Sequence, residues 1–153
     1  GQLAKVGATG WQMLEPFGCL ESVQDLAVQV VDETGADEAI IAAHGSFKSP
    51  VPAAIAARVA AMVAARGLRI GTGFIDQTPQ LATLTGFGPG AVCLPFFAAE
   101  GGHVQEDIPA ALTEAGFQGR LLPALGLDAR VPGIIAEAVL QERKVCEGGC
   151  RWG

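Results

Sequence analysis

The chain has 153 residues, 50% hydrophobic and 17% charged, which fits one globular domain with a sizeable core and excludes a disordered chain. Sixteen acidic against ten basic residues give a formal charge of −6 without a basic stripe, which argues against nucleic acid as a partner. No stretch reaches the roughly 20 apolar residues of a membrane helix, and no basic region followed by an apolar run opens the chain, so a cytoplasmic protein with no membrane partner is expected.

In chain order, Leu3–Ala8 reads as a short strand and Glu15-Pro16-Phe17-Gly18 as a turn. Leu20–Thr34 is an amphipathic helix, with Leu20, Val23, Leu26, Ala27, Val30, Val31 and Thr34 on one stripe and Glu21, Gln24, Asp25, Asp32 and Glu33 opposite. Gly35 ends it. Glu38–Ala43 is an apolar run that reads as the first central strand and stops at His44-Gly45-Ser46. Alanine-rich Val51–Arg66 forms a helix ended by Gly67, with Arg58 and Arg66 as solvated charges. Leu68–Ile75 is the next strand, interrupted by Gly71 and Gly73. Thr78 as N-cap and Pro79 at the first helical position predict a short helix to about Leu84.

Gly86–Gly90 turns into a buried strand, Ala91–Phe97, followed by the glycine-containing loop Ala98–Gly102. A helix then runs from His103 through Ala115 and ends at Gly116. Arg120–Pro123 is a fourth, short strand, and Pro132 opens the last helix, Val131–Arg143, with Ile134, Ile135, Ala138 and Val139 facing inward. Strand and helix thus alternate four times, and the strands are continuous apolar runs, as in a parallel sheet covered on both faces. The expected fold is α/β, a doubly wound four-stranded parallel sheet. Its organisation is an N-terminal extension at 1–37 with one amphipathic helix, a main domain at 38–143, and a Cys- and Gly-containing tail at 144–153.

Three strands deliver polar groups to one rim: His44 and Ser46 after the first, Asp76 after the second, His103 and Glu106 after the third. In open α/β sheets ligands bind at the carboxyl ends of the strands. Both histidines of the chain stand there, 59 residues apart in sequence. Imidazole binds transition metals and accepts protons near neutrality, so the pair reads as a metal and proton site with coordination positions left open. Glu106 and Asp107 follow His103 by three and four residues on one helical face, which makes Glu106 a candidate ligand or proton carrier. Asp76 is a candidate for relaying a proton or orienting an imidazole. The glycine cluster Gly86–Gly90 precedes a strand instead of opening a helix, so it is no dinucleotide fingerprint. Ser46 beside His44 raises a hydrolase reading, yet it lacks the nucleophile elbow.

His44-Gly45-Ser46 after its strand, Gly73-Phe74-Ile75-Asp76, and Leu94-Pro95-Phe96-Phe97 with Gly101-Gly102-His103-Val104-Gln105-Glu106-Asp107-Ile108-Pro109 resemble the CbiX-type sirohydrochlorin chelatases. The resemblance covers about residues 39–140. It implies insertion of Co2+ or Fe2+, or nickel in relatives, into the tetrapyrrole sirohydrochlorin during siroheme or cobalamin synthesis. It further implies that His44 and His103 are the metal-binding and catalytic pair. Their placement in the sequence adds Glu106 as a catalytic candidate and Ser46, Lys48, Asp76, Gly101 and Gly102 as candidates to line the substrate. The fold would be one chelatase lobe, and a homodimer or a second lobe would complete the cleft. The alternative from a different class is a non-catalytic metal- or tetrapyrrole-binding domain derived from such an enzyme. Some members also carry an iron–sulfur cluster on cysteines near the carboxyl end. Cys146 and Cys150 supply two of the four thiolates a cluster normally needs. Cys93 lies in a predicted strand and Cys19 far upstream, so free thiols are the expectation rather than a cluster.

Overall fold

The computed structural model describes residues 11–146 and 150–152, and the strand expected at Leu3–Ala8 lies outside them. Four strands form one parallel sheet: β1 Glu38–Ala43, β2 Arg69–Phe74, β3 Val92–Pro95 and β4 Arg120–Leu121, in the order β2-β1-β3-β4. The helices are α1 Glu21–Asp32, α2 Val51–Ala64, α3 Ile108–Glu114 and α4 Val131–Leu140. The doubly wound α/β expectation holds. After β2 the chain crosses over β1 to lay down β3 on the other side, so the sheet has a switch point between β1 and β3.

Pleating explains why β1 is apolar at every position but its first. Ala39, Ile41 and Ala43 point into a core shared with α1, α2 and α4, whereas Ile40 and Ala42 point into a second core built with Val104, Ile108 and Leu112. All five are buried, so the strand alternates between two dry faces and not between core and water. Gly73 in β2 has a packing reason: a Cβ there would stand 2.7 Å from the Leu81 Cα, because the following segment lies flat on the sheet.

Several expectations change. Residues 78–84 do not form a helix capped by Thr78. The Phe74 amide bonds the Pro79 carbonyl at 2.9 Å and Phe74 bridges Gln80, so the chain there is extended, and only Leu81–Thr83 coil as a 3-10 turn. Gln24 is not on the wet side of α1. It is 1% exposed, its Nε2 donates to the Gly18 carbonyl at 3.0 Å, and its Oε1 accepts from Arg58 Nε at 2.8 Å. Arg58 is accordingly engaged, and its guanidinium also stacks 4.5 Å from the Trp152 ring centre. On α4 the inner stripe is Val131, Ile134 and Ala138. Ile135 and Val139 stay about half exposed, because this helix packs with a single stripe at the border of the sheet.

The ends of the described chain come together. Leu14 bridges Lys144, and the Trp152 Nε1 donates to the Cys19 carbonyl at 3.0 Å. Cys19 is consequently not remote from the tail. Burial, followed by its neighbours Cys150, Glu15 and Cys146, pushes its thiol up to about 11. The four cysteines are unpaired. No helix among the described residues is long and apolar enough to cross a membrane.

Candidate metal centre

Since β1 lies between β2 and β3, the residues that follow these three strands must meet. His44 is the first residue beyond β1. Its backbone carbonyl accepts from the Asp76 amide at 2.9 Å, which continues the sheet pairing one step past β2. Gly45 turns the chain with φ +77°, and the Gln77 side chain lies against it, accepting from the Ser46 amide at 2.7 Å. Gln77 therefore clasps the loop that presents His44. Gly45 leaves no room for a side chain there: a Cβ would fall 2.6 Å from Gln77 Cγ.

His103 reaches the same place from β3 by a loop and a tight helical start. His103–Asp107 is a single π-turn, closed by the Ile108 amide on the His103 carbonyl, and α3 continues from it. Buried Val104 and Ile108 anchor this turn in the second core and leave His103 at the rim.

The two imidazoles face each other with Nε2 to Nε2 at 3.2 Å, ring centres 4.6 Å apart and planes at 86°. Phe97 lies 6.5 Å from each ring centre. On the far side of each ring, Nδ1 is occupied. His44 Nδ1 is 3.0 Å from the Gly45 carbonyl, with an Asp76 oxygen at 3.5 Å, and His103 Nδ1 is 2.6 Å from Asp107 Oδ2. A carbonyl or carboxylate oxygen only accepts, so the tautomer that satisfies it has hydrogen on Nδ1 and leaves the Nε2 lone pair toward the other ring, at a separation that is also within hydrogen-bond distance. Two imidazole nitrogens converging in this way suit a transition cation. Among the described residues no set of three His, Cys, Asp or Glu donors is arranged to hold a metal. A cation here would keep most of its coordination positions open.

A sequence model of the CbiX family matches residues 38–142. The chain belongs to the CbiX family. It is 36% identical to a CbiX whose structure is described as that of the terminal enzyme for biosynthesis of siroheme in denitrifying bacteria, over 92% of this chain and 66% of the other, with a TM-score of 0.85. This chain thus spans somewhat less than two thirds of that relative. Two structures of SirB share the fold: one from Bacillus subtilis with Fe3+, at 12% identity, and the sirohydrochlorin chelatase of Bacillus subtilis subspecies spizizenii in complex with cobalt, at 13%. Each covers 99% of this chain, which in turn covers 65% and 63% of them, with TM-scores of 0.62 and 0.59. None of the curated proteins compared with the chain matches it.

In this CbiX chain the other sequence-derived candidates separate. Asp76 stands by His44. Glu106 does not join the pair, and the carboxylate on His103 is Asp107. The reason is the π-turn: with more residues per turn than an α-helix, position i+4 stacks over position i while i+3 falls short around the axis. Ser46 Oγ is taken up locally, accepting from the Lys48 amide at 3.1 Å, and is not hydrogen-bonded to His44. Lys48 is exposed on this loop. Gly101 and Gly102 have open space where a Cβ would be, and Gly102 has ordinary helical backbone with φ −49°. Asp107 and Gln77 were the residues missed, and only the spacing of four from His103 to Asp107 signalled either.

Two hollows flank the pair. One, of about 330 Å3 and mostly apolar, opens beside His44 between Pro16, Cys19, Ile55 and Phe96. The other, of about 450 Å3, opens beside His103 and has Asp76, Asp107 and Glu114 on its walls.

Proposed function

We propose that this chain is one lobe of a sirohydrochlorin chelatase, a lyase-type enzyme that inserts Co2+ or Fe2+ into a tetrapyrrole on the route to siroheme or cobalamin. The observation that carries this reading is the meeting of two Nε2 atoms at 3.2 Å on the sheet rim, each ring with an oxygen acceptor beside its Nδ1. The likeness to a siroheme-forming CbiX supports the substrate class.

Metal insertion joins a divalent ion to four pyrrole-type nitrogens and releases two N–H protons. His44 and His103 hold the ion by two bonds, few enough to surrender it, and their Nε2 atoms become free to accept the protons as the ion leaves them. Asp76 steadies His44. Lys48 meets a substrate carboxylate at the edge, and backbone near Gly101 and Gly102 offers unobstructed approach to the macrocycle. Glu106 has no part in this scheme. The opposite wall of the cleft comes from a second copy or a second lobe. The setting is the cytoplasm, where unpaired thiols persist.

Sirohydrochlorin incubated anaerobically with Co2+ and the protein should lose its free-base absorbance faster than with Co2+ alone. His44→Ala and His103→Ala should each abolish the acceleration and stay folded, whereas Ser46→Ala should retain it. Binding of the tetrapyrrole without acceleration would replace the chelatase reading with that of a carrier.

A further inference from the structure

The two histidines are not anchored alike. His44 Nδ1 lies 3.0 Å from the Gly45 backbone carbonyl, an acceptor whatever the side chains around it. His103 has only the Asp107 carboxylate. The side chains of His103 and Asp107 are 46% and 51% exposed, so this ion pair contributes little to folding. The turn that creates it is of a rare kind, and such single π-turns are common at functional sites.

We propose that Asp107 is a positioning residue that keeps the metal site open by fixing the tautomer of His103. The proposal deepens the chelatase reading and rests on it. With Asp107 accepting from Nδ1–H, His103 presents a lone pair at Nε2. Without that acceptor the ring adopts the Nε2–H tautomer, which free histidine prefers in water. That hydrogen then points at His44 Nε2, 3.2 Å away. The two imidazoles, already within hydrogen-bond distance, would then pair as donor and acceptor, and both nitrogens needed by the cation would be used up. Asp107 prevents this self-pairing, and the π-turn places it to do so where an α-turn would divide the face between Glu106 and Asp107.

The test replaces Asp107 by its isostere and by a truncation, Asp107→Asn and Asp107→Ala, in the full chain. Two-bond nitrogen–proton NMR of the 15N-labelled, metal-free protein at mildly alkaline pH reports which nitrogen of His103 bears hydrogen. Wild type should show Nδ1–H. Both variants should show Nε2–H, because an amide N–H directed at Nδ1 enforces that tautomer and alanine leaves the neighbour His44 to select it. Co2+ affinity, read from the visible absorption of the bound ion, should fall about 10- to 100-fold in both, the usual effect of removing the partner of a metal-binding histidine. Circular dichroism and the urea midpoint should stay close to wild type.

A wild type with Nε2–H at His103 would overturn the proposal, as would variants that keep Nδ1–H or bind Co2+ within twofold of wild type. So would Glu106→Gln, not Asp107→Asn, altering the tautomer. None of these readouts needs turnover. A protein that binds Co2+ as expected and fails to metallate sirohydrochlorin would defeat the chelatase reading and leave this one standing.

Discussion

Alanine at Gly45 should destabilise this protein more than alanine at Gly35, and the surplus should come from the loop that presents His44. Both glycines hold left-handed backbone, φ +77° and +67°. That region costs an L-residue about 1–2 kcal/mol, against roughly 0.4–1 kcal/mol regained by restricting the unfolded chain, for a net loss of about 1 kcal/mol. At Gly35 nothing lies within 4 Å of the added carbon, so the loss stops there. At Gly45 the carbon would stand 2.6 Å from Gln77 Cγ and 2.9 Å from its Oε1. Gln77 must swing away and give up the 2.7 Å hydrogen bond from the Ser46 amide. An N–H left unpaired in a part-buried place adds about 1–3 kcal/mol. The expected losses are thus about 2–4 kcal/mol for Gly45→Ala and about 1 kcal/mol for Gly35→Ala. Urea unfolding followed by circular dichroism measures both. Adding Gln77→Ala to Gly45→Ala should cost less than Gln77→Ala costs alone, since the obstructing side chain is already displaced. Equal losses at the two glycines, or strict additivity in the double variant, would refute the reasoning.

Gln24→Ala should lower stability by about 1–3 kcal/mol, because it strands the Gly18 carbonyl and the Arg58 guanidinium; a urea midpoint matching wild type would contradict the buried bonds drawn here. Arg130, through its guanidinium and then its backbone amide, holds the Asp128 carboxyl at about 2, below its ordinary 3.8. A carboxyl depressed on folding contributes stability that is complete above about pH 4 and fades as pH falls towards 2, so Asp128→Asn should flatten the acid limb of urea midpoint against pH. An unchanged limb would count against that pairing. Burial pushes the Cys93 thiol up to about 12 and, with Cys150 beside it, Cys19 up to about 11. Iodoacetamide near neutral pH should therefore modify Cys146 and Cys150 in the native protein and all four cysteines in urea; peptide mapping that finds Cys19 labelled as fast as Cys146 would disprove the buried environment.

Much of the architecture could be read from local pattern. The bounds of β1 are those of an apolar run closed by His44, and α2 is an alanine-rich stretch stopped by Gly67, because strand and helix periods and glycine breaks are short-range properties. The failures share a cause. Residues 78–84 have the composition of a capped helix, but Phe74 recruits their backbone to the end of β2. Gln24 is polar, yet the Gly18 carbonyl and Arg58, one of them 34 residues away, meet its amide and let it go dry. Cys19 looks isolated from Cys150 because the return of the tail to the start of the domain has no local signature.

The same division runs through the candidate site. Residue order alone is enough to put two histidines at strand ends, within a motif specific enough to name a chelatase family, and acidic residues after the second. That β1 separates β2 from β3, so that His44, Asp76 and His103 arrive at one rim, emerges with the folded sheet. So does the π-turn that hands His103 to Asp107 and not to Glu106. Residue type and spacing are set along the chain, whereas a 3.2 Å approach of two nitrogens depends on strand order and on one extra residue in a helical turn. Both are set by packing between segments far apart in sequence, with Val104 and Ile108 anchored in the core beneath the rim.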